Sequence, residues 1–139
     1  MREIKFRVWN TSLKKYIPDH LVHISPDGRF LFGALYFKPD LYKYSPDILK
    51  GENVVEQFTG LKDKNGTEIY EGDIVKYYPH HRGVPYRVYW ADKSAKFLIG
   101  RDGVIGQSFS DIMHNLNTGR IALEVVGNIH ENPELMEEK

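Results

Sequence analysis

Glu71 and Asp73 bracket Gly72 in the run Tyr70-Glu71-Gly72-Asp73. Residues i and i+2 of an extended chain point to the same side, and two close carboxylates push one pKa upward, which yields a general acid. Turn chemistry and solubility explain carboxylates around a glycine more simply. An acid/base enzyme would have to bring Glu71, Asp73 and a histidine into one pocket. His80 and His81 are adjacent in a Pro-bounded loop, and adjacent residues of an extended chain point apart. His114 and His130 stand alone, with no zinc-ligand spacing around them. Ser108 and Ser110 flank Phe109 without a nucleophile elbow, and Ser110 reads as a helix cap. The glycines at 100, 103 and 106 precede no helix long enough for a phosphate loop, so they read as strand-to-strand turns. The sequence therefore assigns no catalytic residue, no metal ligand and no cofactor.

Composition narrows the classes further. The 139 residues include no cysteine, so disulfide staples, Cys-ligated metals and thiol catalysis are excluded. Nineteen basic residues balance nineteen acidic ones, which disfavours a bulk electrostatic grip on nucleic acid or anionic membrane. Charge is nonetheless uneven. Residues 1–15 hold Arg2, Lys5, Arg7, Lys14 and Lys15 against Glu3 alone, whereas residues 124–139 hold five glutamates against Lys139. No apolar run approaches the roughly twenty residues that span a bilayer, and the N-terminus lacks a signal-peptide pattern. A cytoplasmic protein with no membrane partner is the expectation.

The elements that would position these groups follow a period of two. Ile4, Phe6 and Val8 alternate with Lys5, Arg7 and Trp9, giving a strand with one aliphatic face. Leu21–Ile24 reads as a short strand, followed by the turn Ser25-Pro26-Asp27-Gly28 and a hairpin partner over 29–37. Pro39 and Pro46 break the rhythm, so residues 38–52 read as a long loop or insertion. Strands are expected over 54–59, 73–78, 86–90, 96–100 and 121–129, with turns at Asn65-Gly66 and Gly72. One helix is expected after Ser110, ending before Gly119. Asn132 as N-cap and Pro133 at the first helical position suit a short helix or tail over 131–139. The fold class is mainly β (α+β): one domain over 1–139 of antiparallel strands, partly barrel-like, with one or two short helices.

Three segments carry a family resemblance. The opening has Arg2-Glu3-Ile4-Lys5-Phe6-Arg7 and Trp9. The centre has Gly60, Leu61, Lys62 and Asp63, then Gly66, Ile69, Tyr70, Gly72, Asp73, Ile74 and Val75. The close has Gly127, Asn128 and Ile129, then Glu131, Asn132, Pro133, Glu134 and Leu135. Together they resemble the YopX-like proteins of bacteriophages and prophages, mainly of Gram-positive bacteria. The resemblance spans nearly the whole chain and implies a mainly β fold, a phage-borne origin and no established activity. Asn10 stands where that family commonly has Asp and His130 where it commonly has Tyr, and residues 36–52 match nothing in it. The central motif also resembles the strand entry of small SH3-like barrels, an analogy that bears on fold and not on function.

These readings converge on a small, non-enzymatic accessory protein that binds another macromolecule. A protein partner is expected, and a second copy of the chain would cover the open edges of a β domain. The candidate surface is Lys5, Arg7, Trp9, Arg87, Tyr89 and Trp90, since Trp, Tyr and Arg dominate interaction hot spots. The alternative is single-stranded nucleic acid stacked on the same residues, which the zero net charge disfavours.

Overall fold

Alternation at period two is realised as nine antiparallel strands in the computed structural model, which describes residues 3–30, 51–79, 83–101 and 106–137. Among these residues one nine-residue α-helix and two short 3-10 helices accompany the strands, so the mainly β expectation holds. The hairpin partner over 31–37, most of the loop over 38–52 and the His80-His81 pair lie outside the described residues. By its internal contacts the chain divides into two compact units, Glu3–Gln57 and Phe58–Lys139.

In the first unit β1 (Phe6–Asn10) pairs with β2 (Lys15–Tyr16) on one side and with the leading half of β3 (Asn53–Lys62) on the other. Val8, Ile17 and Leu21 form its core, with Leu13, Val22, Ile24, Phe30 and Val55 packed against them. Two expectations need correction here. Ile4 lies before the strand and is 61% exposed, while Trp9 is only 6% exposed, so β1 is covered on both faces rather than on one aliphatic face. Leu21–Ile24 is not a strand. A 3-10 helix over Asp19–Leu21 closes on the Pro18 carbonyl, and the following residues reach only an isolated bridge between Ile24 and Phe30.

In the second unit the trailing half of β3 pairs with β4 (Glu68–Tyr70). A five-stranded sheet follows, in the order β8-β7-β6-β5-β9. Its strands are β5 (Asp73–Tyr78), β6 (Pro85–Ala91), β7 (Lys96–Gly100), β8 (Gln107–Ser108) and β9 (Ala122–Asn128). One face carries Val75, Tyr77, Val88, Ile99 and Leu123 into a core that α1 (Phe109–Asn117) caps with Phe109 and Ile112. Burying each such side chain contributes about 1.5–3 kcal/mol, which far exceeds any surface ion pair. The helix starts two residues earlier than expected. Ser108, not Ser110, is the N-cap: its hydroxyl accepts from the Asp111 amide (3.1 Å) and the Asp111 carboxylate accepts from the Ser108 amide (3.3 Å). This reciprocal pair satisfies two otherwise orphan donors, and Ser110 falls inside the first turn.

The reverse face of this sheet positions the candidate site. Ile74 is fully buried there, opposite Arg87 and Gly127 in register. The C-terminal segment ends in a 3-10 helix over Pro133–Met136 that packs against β6. Asn132 precedes this turn but makes no side-chain capping bond. Its Oδ1 instead accepts from the Asn128 amide at 3.3 Å.

Candidate functional site

The six surface candidates divide between the units, three in each, and their surroundings differ. In the first unit Arg7 lies directly opposite Glu56 in the β1–β3 register. Its Nε donates to Glu56 Oε1 at 3.0 Å, and its guanidinium lies 4.5 Å from the centre of the Tyr16 ring. The Tyr16 hydroxyl donates to the same Glu56 oxygen at 2.8 Å, and Trp9 meets Tyr16 edge-on with ring centres 5.1 Å apart. Glu56 is 3% exposed. Trp9 is therefore an internal group and Arg7 a half-buried one already engaged by Glu56 and Tyr16, and Lys5 bonds to Glu3 at 3.0 Å. The strand places them correctly, but the carboxylate on the neighbouring strand draws Arg7 inward.

In the second unit β6 separates its three candidates. Trp90 shares the Val88 face at the rim of the core, 39% exposed and edge-on to Phe97 at 4.9 Å. Arg87 and Tyr89 point to the reverse face, with the guanidinium 5.5 Å from the ring centre. There they line a groove of about 410 Å³ with Gly100, Arg101, Ile129, Pro133 and Met136. Arg101 is anchored by a 3.0 Å bond from Nη1 to the Pro85 carbonyl. Trp90 is thus no part of this site, while Arg101, Ile129 and Met136 are added to it. Their chain separation from β6 hid them in the sequence, although Arg101 follows a strand that the alternation did place beside β6.

Tyr89 has a prepared seat. A Cβ added to Gly100 would lie 3.2 Å from Tyr89 Cε1, and one added to Gly106 would overlap the phenol oxygen. A side chain at position 106 would displace the ring's hydroxyl end, and one at position 100 would crowd its edge.

The acid/base candidates do other work. Asp73 is 2% exposed and its Oδ2 accepts from the Tyr70 amide at 2.8 Å, closing the turn at Gly72. His114 is exposed on the helix, and the His130 amide donates to Asn128 Oδ1 at 3.0 Å. The Ser108 and Ser110 hydroxyls are 2.8 Å apart. Among the described residues no three His, Cys, Asp or Glu side chains stand close enough to hold a metal ion. None of their helices is long and apolar enough to cross a membrane.

The ionisable groups with displaced pKa values also serve the scaffold. The Ser108 side chain and amide hold the Asp111 carboxyl below its usual range. The bond to Glu124 raises the Lys64 ammonium, and burial raises the Tyr77 phenol.

A family model described as YopX protein matches residues 5–137. The chain belongs to the YopX protein family. It is similar over 99% of its length to the crystal structure of protein EF1440 from Enterococcus faecalis, at 27% identity and a TM-score of 0.55, with 100% of that chain covered. No curated protein matches it.

The segments that carry the YopX resemblance are joints of the scaffold. Asp63, buried, accepts from the Asn65 and Thr67 amides through Oδ1 (2.8 and 2.9 Å) and from the Val125 amide through Oδ2 (2.8 Å). One carboxylate thus shapes the Asn65-Gly66 turn and ties it to β9, where the Lys64 amide also bonds the Leu123 carbonyl. The Gly72 amide bonds the Val88 carbonyl, and its own carbonyl accepts from Ile129. Gly127 leaves room for Asn132, whose Oδ1 would lie 2.5 Å from an added Cβ. Asn10 uses both ends of its amide: its Oδ1 accepts from the Ser12 and Leu13 amides while its Nδ2 donates to Asn53 Oδ1 at 2.9 Å. A carboxylate could keep the first two bonds but has no hydrogen for the third.

Proposed function

We propose that this YopX-family chain is a non-enzymatic interaction protein, a phage- or prophage-encoded accessory protein that acts in the bacterial cytoplasm by binding another protein. The observation that carries this reading is the groove on the reverse face of β6, which unites Arg87, Tyr89 and Arg101 with the apolar Ile129, Pro133 and Met136. Arg and Tyr over a small apolar patch are the side chains that interface hot spots use, because they combine large contact area with directional donors. Single-stranded nucleic acid is the weaker reading. Trp9 is buried in its own unit and the half-buried Arg7 is paired with Glu56, which withdraws a stacking ring and a cation from the set that reading needs. The acid/base reading is weaker still, since Asp73 is bonded to the Tyr70 amide inside a turn.

The test is affinity capture with the tagged protein from lysate of phage-carrying bacteria, with and without nuclease. A stoichiometric protein retained after nuclease treatment supports the reading. Retention of nucleic acid alone, lost on raising the salt, overturns it.

A further inference from the structure

We propose that the β6 groove binds an acidic–apolar segment of the partner protein. The partner's carboxylate would sit against Arg87 and Arg101, and a neighbouring apolar side chain against Ile129, Pro133 and Met136. This rests on the interaction reading above and gives the partner its chemistry.

Charge complementarity commits the site to an anion. Two guanidiniums line the groove, and among the described residues no carboxylate lines it. Arg101 spends Nη1 on the Pro85 carbonyl, which fixes the plane of the guanidinium and leaves the remaining donors of the fork. A planar fork of this kind matches a carboxylate in a two-bond geometry that an ammonium cannot reproduce. Arg87 is exposed and rests near the Tyr89 ring, itself seated over Gly100 and Gly106. Arg101 and the Tyr89 ring are therefore held before the ligand arrives, which lowers the ordering cost of binding.

The surroundings select a short anion over a phosphate chain. A neighbouring cleft shares Arg101 but also carries Glu134 and Glu137 beside Lys76. A nucleic-acid backbone, with a charge on every nucleotide, would meet these glutamates on leaving the groove. A lone carboxylate flanked by apolar side chains does not. Ile129, Pro133 and Met136 supply the apolar wall, and Met adapts to side chains of different shape.

The test uses fluorescence anisotropy. Short labelled Gly-Ser peptides carry a central Glu or Asp flanked by Leu, Ile, Phe or Trp. Matched peptides carry Gln or Asn instead, and a labelled oligothymidylate is the third probe. The proposal expects acidic peptides to bind about tenfold more tightly than their amide counterparts, the scale of a charge-assisted bond. Arg87→Gln and Arg101→Gln should each erase that margin. Arg101→Lys should keep the charge but lose most of the preference, and Lys93→Gln, outside the groove, should change nothing. Thermal melts check that each variant folds. Equal binding of acidic and amide peptides, no peptide binding, indifference to both Gln variants, or tighter binding of the oligothymidylate would each overturn the proposal. The lysate capture, repeated with the Arg87→Gln/Arg101→Gln double variant, separates the two readings. A partner that the double variant still retains sinks the groove proposal alone, whereas the absence of any partner for the wild type sinks the interaction reading.

Discussion

Arg7-Val8-Trp9 on β1 and Arg87-Val88-Tyr89 on β6 are nearly the same tripeptide on the same kind of element. Both valines are fully buried in the core of their own unit. Both arginines lie over a tyrosine ring, at 4.5 Å and 5.5 Å. The outcomes diverge because of what stands across the sheet. Arg7 faces Glu56, and Arg87 faces Gly100. A carboxylate neutralises the first guanidinium and draws it inside, where the Tyr16 hydroxyl completes the cluster. A glycine brings no carboxylate to the second guanidinium and makes room for the ring beside it. A strand tripeptide therefore sets which face a side chain occupies, and the cross-strand neighbour sets whether it becomes structure or surface.

The largest effect that would break this contrast is removal of the carboxylate. Glu56→Leu should take the shared acceptor from Arg7 and Tyr16 and destabilise the protein by about 2 kcal/mol, read from urea unfolding. Adding Arg7→Met to that variant should recover most of the loss, because two apolar groups replace the pair. If the single variant unfolds like the wild type, the Glu56 carboxylate does not hold this cluster together.

Asp63 is the second unit's counterpart, a buried carboxylate satisfied by backbone amides instead of side chains. Asp63→Ala should cost about 2 kcal/mol by leaving amides without acceptors, and hydrogen exchange should quicken at Asn65, Thr67 and Val125. The two tyrosines sharpen the comparison on a smaller scale. Tyr16→Phe should lose about 1 kcal/mol with its bond to Glu56, while Tyr89→Phe, altering a group on the groove side, should stay within about 0.5 kcal/mol.

Last comes a pH effect. The folded state lowers the Asp111 pKa, so its contribution is complete above the ordinary carboxylate range and is lost as pH falls through the depressed value. Asp111→Asn should flatten that part of the acid limb in thermal melts across acidic pH. An unchanged limb would separate Asp111 from the capping interaction.

Much of the fold could be read in the chain. Strands over 73–78 and 96–100 end where expected because alternation there is bounded by a glycine or a polar turn at each end. The YopX resemblance rested on Gly66, Gly72, Gly127 and Asn132, residues whose geometry admits few substitutes. The helix cap was misplaced by two residues because Ser108 and Ser110 look alike locally, and only the return bond from Asp111 distinguishes them. The site was half legible. Arg87 is exposed and Tyr89 half-buried, while Trp9 packs on Tyr16 and Arg7 is engaged by Glu56, 49 residues away. The groove's far wall comes from residues 129–136, brought back by a turn whose effect on β6 no local pattern encodes.

The Asp63 joint also has a consequence in time. β9 is an edge strand, and its outer backbone groups at Leu123 and Val125 are occupied by Lys64 and Asp63. The Asp63–Val125 bond spans 62 residues, so closing it waits on one of the longer loops in the unit. Until it closes, a chain in the course of folding presents a bare strand edge to every other such chain. Asp63→Ala should therefore lower the protein concentration at which refolding gives way to aggregation.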